Sequence, residues 1–149
     1  MKIYKQIHST TPEQTEGVGA ELAKEVLSGA LPCFIALEGD LGVGKTAFTR
    51  GFVSVVSPAS AVRSPTFALV NEYRNRETSK VVYHFDVYRI IDDDDLYSTG
   101  FYDYLDRGIC VVEWSENIRY AFPDSYVTVR IEKNDENDPD SRLITVFRD

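Results

Sequence analysis

Cysteine, methionine and tryptophan are scarce in this chain: two, one and one among 149 residues. Cys33 and Cys110 each sit inside an apolar run, LPCFIAL and GICVVEW. Both therefore read as small buried hydrophobes, and neither a disulfide framework nor a cysteine metal site is expected. Long apolar runs are missing as well, and none approaches the roughly 20 residues that a membrane-spanning helix needs. The opening MKIYKQIHSTTPEQ lacks the apolar segment of a signal peptide, so a cytoplasmic protein is expected. Basic charge is also short. Sixteen Lys and Arg face 24 Asp and Glu, a net charge of −8, which argues against autonomous nucleic-acid binding because duplex affinity needs cations to displace counterions. Contact with RNA would have to come from a local patch or through a partner. There is no internal repeat and no linker.

What remains is an ordinary globular composition, 43% hydrophobic and 12% aromatic. Its length suits a single domain over residues 1–149 with one unstapled core. Thr11-Pro12-Glu13-Gln14 reads as a helix start, with Thr11 capping, Pro12 at the first helical position and Gln14 at the capping-box spacing. Val18, Leu22 and Val26 give that helix one apolar face until Gly29. Cys33 to Leu37 reads as a strand buried on both faces. A glycine-rich turn follows, and then a helix from Lys45 towards Pro58 carrying Phe48, Phe52, Val55 and Val56. Phe67 to Tyr73 and Val81 to Tyr88 read as strands around a polar turn at Asn75-Arg76. Asp92 to Tyr97 and Phe101 to Arg107 suggest short helical turns on either side of Gly100, and Ile109 to Val112 a second fully apolar strand. Val127, Val129 and Ile131 alternate with polar residues, Leu143 to Phe147 supplies a partner strand, and Asn134 to Asp140 reads as a solvated hairpin loop. The expected fold is a three-layer α/β domain whose mixed sheet is parallel around the glycine-rich turn and antiparallel at its C-terminal edge.

The chemistry gathers at Gly39-Asp40-Leu41-Gly42-Val43-Gly44-Lys45-Thr46, which fits G-x-x-x-x-G-K-[ST] without mismatch. Glycines let the backbone curl into a nest whose N–H groups aim at phosphate oxygens, and the following helix turns its positive end towards the same anion. Lys45 would reach the β- and γ-phosphates, and the Thr46 hydroxyl would ligate Mg²⁺. An apolar strand before the loop and an amphipathic helix after it are the context the motif requires. The α/β domain is therefore expected to be of the P-loop NTPase type, with ATP and Mg²⁺ as its ligands.

Such a loop needs an acid for its metal, and two strand ends offer one. Ile109-Cys110-Val111-Val112-Glu113 is the cleaner, so Glu113 is assigned to Mg²⁺, directly or through water. Asp86, closing Val81-Val82-Tyr83-His84-Phe85-Asp86, is assigned to orienting the attacking water or to a supporting role. Thr66 in Ser64-Pro65-Thr66-Phe67 has the character of a switch threonine or of a turn before a strand. His84 is a relay group or a structural histidine, and Trp114 a core residue or a lid over the phosphates. Arg89 could neutralise transition-state charge or pair with the Asp92 to Asp95 run, which itself suits a helix start.

Taken together, EGDLGVGKTAFTRGF (Glu38 to Phe52), SPTF (Ser64 to Phe67), YHFDVYR (Tyr83 to Arg89) and VVEW (Val111 to Trp114) resemble one family in order and spacing. This is the TsaE (YjeE) family, the small bacterial ATPases of tRNA threonylcarbamoyladenosine formation. The resemblance implies slow ATP·Mg²⁺ hydrolysis in support of two partner subunits, TsaB and TsaD, with TsaD modifying adenosine 37 of tRNA. It implies that Lys45 and Thr46 hold phosphates and metal, that Glu113 serves Mg²⁺ and that Thr66 is the switch. It also implies that Asp86 belongs to an HxD motif needed for activity, that Trp114 lies near the nucleotide and that Thr11 to Thr15 lie near the adenine. The C-terminal hairpin receives no role.

Three other readings compete. A small-metabolite kinase would need an arginine-bearing lid, for which the β-rich stretch after Trp114 offers little. A GTPase would normally carry N-K-x-D, which is missing. A nucleotide-dependent binding module would use the γ-phosphate to order a surface without needing turnover.

Overall fold

The computed structural model describes residues 1–40, 42–65 and 69–148; Leu41, Thr66 and Phe67 lie outside that set. In chain order the elements are β1 (Lys2–Ser9), α1 (Pro12–Leu27), β2 (Phe34–Glu38), α2 (Lys45–Val56), β3 (Val70–Arg74) and β4 (Val81–Asp86). They continue with α3 (Asp93–Ser98), α4 (Phe101–Tyr104), β5 (Ile109–Glu113), a 3-10 segment (Ser115–Ala121), β6 (Val127–Asp135) and β7 (Asp138–Arg148).

The strands form one sheet in the order β1-β7-β6-β2-β5-β4-β3. The central pairs β6-β2, β2-β5 and β5-β4 are parallel, whereas β3-β4, β6-β7 and β1-β7 are antiparallel. Period-two alternation makes the three layers. Ile35, Leu37, Ile109 and Val111 face a core shared with Phe48 and Phe52 of α2 and Leu22 of α1. Phe34, Ala36, Cys110 and Val112 face a second core with Leu96, Phe101 and Ile118. Among the described residues no helix is long and apolar enough to cross a membrane.

α1 begins as its sequence requires: Thr11 accepts from the Gln14 backbone N–H at 3.1 Å. The reciprocal bond runs from Thr10 N–H to Gln14 Oε1 at 2.7 Å, one residue earlier than a strict capping box. The helix closes through Gly29 at φ +85°, a left-handed C-terminal stop. α1 and α2 then pack backbone to backbone. A Cβ on Gly19 would fall 2.1 Å from the Phe48 carbonyl oxygen, and one on Gly51 would fall 1.8 Å from that of Glu16. Helix-interior glycine costs roughly 1 kcal/mol against alanine, and here that cost is offset by contact no larger residue permits.

Several expectations change. β1 is an additional edge strand that the sequence pattern did not suggest; only Lys5, Ile7 and Ser9 turn inward, and Ile3 and Tyr4 stay exposed. The polar stretch 134–140 is mostly strand, because β6 and β7 pair as far as Asp135 opposite Asp138 and leave a two-residue turn. Polarity there marks a ribbon wet on both faces rather than a loop. The described part of the Phe67–Tyr73 strand begins at Val70, and the Val81–Tyr88 strand stops at Asp86. Cys33 is not a core thiol: β2 starts only at Phe34, so Cys33 lies in the exposed approach to the strand. Cys110 is buried, and burial pushes its thiol up to about 12, with Cys33 as the smaller cause.

Two predictions follow from this packing. Gly51→Ala should lower stability by about 1–3 kcal/mol or more, as overpacking does, read as a fall in the urea midpoint; an unchanged midpoint would mean that the helices can part freely. An aromatic disulfide reagent at pH 8 should titrate one thiol, Cys33, in the native protein and two after unfolding, because Cys110 remains protonated and enclosed.

Candidate functional site

β2 lies between two parallel neighbours, with Leu37 beside Glu113 of β5 and Val129 of β6. Its carboxyl end therefore opens where ligands collect in open α/β sheets. The loop from 39 to 44 turns this strand into α2 with Gly39, Gly42 and Gly44 at φ +147°, +78° and +116°. A Cβ on Gly39 would meet the Ile131 carbonyl oxygen at 2.6 Å, so β6 forms the floor under the loop. A Cβ at Gly44 would stand 3.7 Å from Cγ2 of Thr15, which brings the start of α1 against the loop. The first turn of α2 carries no acid and its cap no side-chain hydrogen bond, leaving its N–H groups and positive end for an anion.

Lys45, only 5% exposed, donates from Nζ to the Gly39 carbonyl at 2.8 Å. The same ammonium lies 4.5 Å from the centroid of the Trp114 ring, a cation–π contact. No carboxylate lies within ion-pair distance of it among the described residues. Its bonding is thus to groups that a phosphate can replace. Trp114 is itself held at φ +60°, unusual for a bulky residue, with Tyr88 packed on it at 4.8 Å between centroids.

The acids come from the ends of adjoining parallel strands, Asp86 of β4 directly opposite Glu113 of β5. Glu113 is buried, and its Oε2 lies 2.6 Å from Nε2 of His84, which is fully enclosed. When Glu113 is ionised its carboxylate only accepts, so Nε2 is then the donor, and Nδ1 is left without a partner. His84 thereby fixes the Glu113 carboxylate. Asp86 is half-buried and accepts from the Tyr88 backbone N–H at 2.9 Å. Thr46 occupies the second position of α2, half-buried, while Asp40 and Gly42 are exposed and Val43 is buried. Among the described residues no three His, Cys, Asp or Glu converge as a ready metal cage. Mg²⁺ needs none, because it is usually held by one or two carboxylates together with substrate phosphates.

Beside the loop a cavity of about 430 Å³ is lined by Glu38, Gly39, Asp40, Val43, Glu116 and Arg130, among others. Glu38 is bound by Arg119 at 2.9 Å and by Arg130 at 3.1 Å. Glu116 is exposed overall, yet partial burial of its carboxyl, and then the Glu38 charge, raise it above the ordinary carboxylate range.

The structure thus gathers Lys45, Thr46, Glu113, Asp86 and Trp114 around one strand end, with Gly42, Val43 and Gly44 in the loop. Leu41 and Thr66 fall outside the described residues. Arg89 is exposed and makes no ion pair with the Asp92 to Asp95 run among the described residues. That run starts α3, Asp92 accepting from Asp95 N–H at 2.9 Å. The partnership of His84 with Glu113 was not foreseen; two inward residues on neighbouring strands give no signal along the chain.

A central parallel sheet with this loop between β2 and α2 defines a P-loop NTPase fold. The crystal structure of YdiB from Bacillus subtilis has the same fold, with a TM-score of 0.66 and 27% identity over 98% of this chain and 87% of that one. Residues 9–144 match the family described as threonylcarbamoyl adenosine biosynthesis protein TsaE. The tRNA threonylcarbamoyladenosine biosynthesis protein TsaE of Aquifex aeolicus is 34% identical over 99% of each chain. Its namesake in Bacillus subtilis is 33% identical over 92% of this chain and 81% of that protein. The one in Haemophilus influenzae is 40% identical over 68% of this chain and 64% of that protein. The chain belongs to the TsaE family of threonylcarbamoyladenosine biosynthesis proteins.

Two measurements test this geometry without any ligand. Lys45→Ala should shift the emission of the single tryptophan, since the cation leaves its face; an identical spectrum would show that the contact does not form in solution. His84→Phe should destabilise the fold by about 1–3 kcal/mol in urea, because a buried carboxylate oxygen loses its donor.

Proposed function

We propose that this protein binds ATP·Mg²⁺ in the loop from Gly39 to Thr46 and hydrolyses it slowly, in the cytoplasm. Hydrolysis would support threonylcarbamoylation of adenosine 37 of tRNA by partner subunits TsaB and TsaD. The observation that carries the reading is the placement of Glu113 and Asp86 on parallel strands beside a G-x-x-x-x-G-K-T loop whose lysine has no carboxylate partner among the described residues. Kinship with the TsaE proteins supplies the pathway.

In this reading the loop amides and the start of α2 wrap the β-phosphate. Lys45 exchanges the Gly39 carbonyl for phosphate oxygens. The Thr46 hydroxyl and the Glu113 carboxylate, held by His84, would hold Mg²⁺, which when bound neutralises charge on the phosphates. Asp86 orients the attacking water or supports the groups that do, and Thr66 senses the γ-phosphate. Trp114, whose ring lies against the Lys45 ammonium, borders the phosphates. With a net charge of −8, the protein reaches tRNA through its partners rather than by itself.

Steady-state hydrolysis by the purified chain, alone and with TsaB and TsaD, tests this. Turnover should be slow alone, rise clearly with both partners, and fall on the order of a hundredfold in Lys45→Ala, comparable to losing a preorganised charge-stabilising donor. If the partners change neither rate nor affinity, the pathway assignment fails even where ATP binds. Glu113→Ala and Asp86→Ala should keep ATP while losing turnover; pathway output that survives in them would favour a binding module.

A further inference from the structure

Inward-facing amides in a phosphate loop have a consequence on its other side: the carbonyls of the same peptides point outward, and those that are buried need donors. For the buried Val43 and its exposed neighbour Gly42, one residue of the C-terminal hairpin supplies the donors. Arg142 of β7 donates from Nε to the Val43 carbonyl at 2.7 Å and from Nη2 to the Gly42 carbonyl at 3.4 Å. Its Nη1 donates to the carbonyls of Pro139 and Ser141 at 2.6 and 2.9 Å, anchoring the fork to its own hairpin. The guanidinium thus spans two segments 99 residues apart. It sits in the sheet beside Lys133 of β6 and Ser9 of β1. No carboxylate lies within ion-pair distance of it among the described residues, although the protein is strongly acidic.

We propose that Arg142 is a positioning residue for the phosphate loop, a fork that holds the outer carbonyls of Gly42 and Val43 so that the loop's amides stay aimed at the ligand. This rests on reading the loop as an ATP site. Two features of arginine serve the role. Its rigid planar fork donates in several directions at once, so one side chain can bridge the loop and the hairpin. Its charge is not consumed by a neighbouring acid among the described residues, so it adds positive potential behind the phosphates. Gly42 and Gly44, both at positive φ, resist few alternative turns, and an unbraced loop would sample conformers with the amides turned away. The hairpin thereby contributes to nucleotide affinity without touching the nucleotide.

The test compares ATP and ADP affinity, read from Trp114 fluorescence and confirmed by calorimetry, in the unaltered chain and in Arg142→Ala, Arg142→Lys and Arg148→Ala. Arg148→Ala removes the same charge from the other end of β7, where its side chain donates to the Ala30 carbonyl. Arg142→Ala should weaken both nucleotides about tenfold, the worth of a charge-assisted hydrogen bond, when measured at a temperature where the variant is fully folded. Arg142→Lys, which keeps the charge but cannot bridge two segments, should fall between, and Arg148→Ala should bind as the unaltered chain does. If Arg142→Ala does not fold, the lysine variant carries the comparison. Unaltered affinity in Arg142→Ala, full affinity in Arg142→Lys, or equal losses in Arg142→Ala and Arg148→Ala would each overturn the bracing role. Failure of the unaltered chain to bind ATP would instead overturn the nucleotide reading on which it rests.

Discussion

Between Glu38 at the end of β2 and Lys45 at the start of α2 the backbone must reverse within six residues. This reversal sets the terms for much of what surrounds it. Gly39 can have no side chain because the Ile131 carbonyl of β6 lies where a Cβ would go. Gly44 must adopt a left-handed conformation to enter the helix, close against Thr15. The carbonyls of Gly42 and Val43 take their donor from the far end of the chain, Arg142. α2 must then lie where the turn delivers it, and the glycine pair Gly19 and Gly51 lets α1 approach it closely enough to bury both helices.

A second set of contacts links the loop to the far side of the sheet. Lys45, Trp114 and Tyr88 follow one another from the buried lysine to the exposed tyrosine. Trp114 is joined covalently to Glu113, which His84 holds from the neighbouring strand. Any movement of the lysine head group is felt by an aromatic side chain whose backbone is already in a costly conformation. The acid, its histidine and the aromatic pair therefore form one unit with the loop. The lysine rests on weakly competing groups, a carbonyl and a π-face, rather than on a carboxylate that would have to be displaced.

Much of this was legible along the chain. The loop motif, the apolar strands before it and at Ile109, and the amphipathic helices announce themselves because each is a local pattern: fixed spacing, continuous apolarity or a repeat near 3.6. Asp86 and Glu113 stood out for the same reason, as acids ending apolar runs. Errors came where local pattern and environment part company. Cys33 belongs to an apolar run but precedes the strand, so it meets solvent. The stretch 134–140 is polar and yet paired, since a ribbon wet on both faces has no apolar side to display. β1, on the sheet edge, turns too few residues inward to declare itself.

By itself the sequence determined the P-loop, the helix caps, the parallel core strands and the membership in a family, since each is written in neighbouring residues. The tertiary structure alone decided what stands behind the site: His84 on Glu113, Lys45 on Trp114, and Arg142 on a loop 99 residues away. Those pairings depend on strand order and register, and these follow from how two apolar faces are buried across the whole sheet rather than from any one stretch of chain.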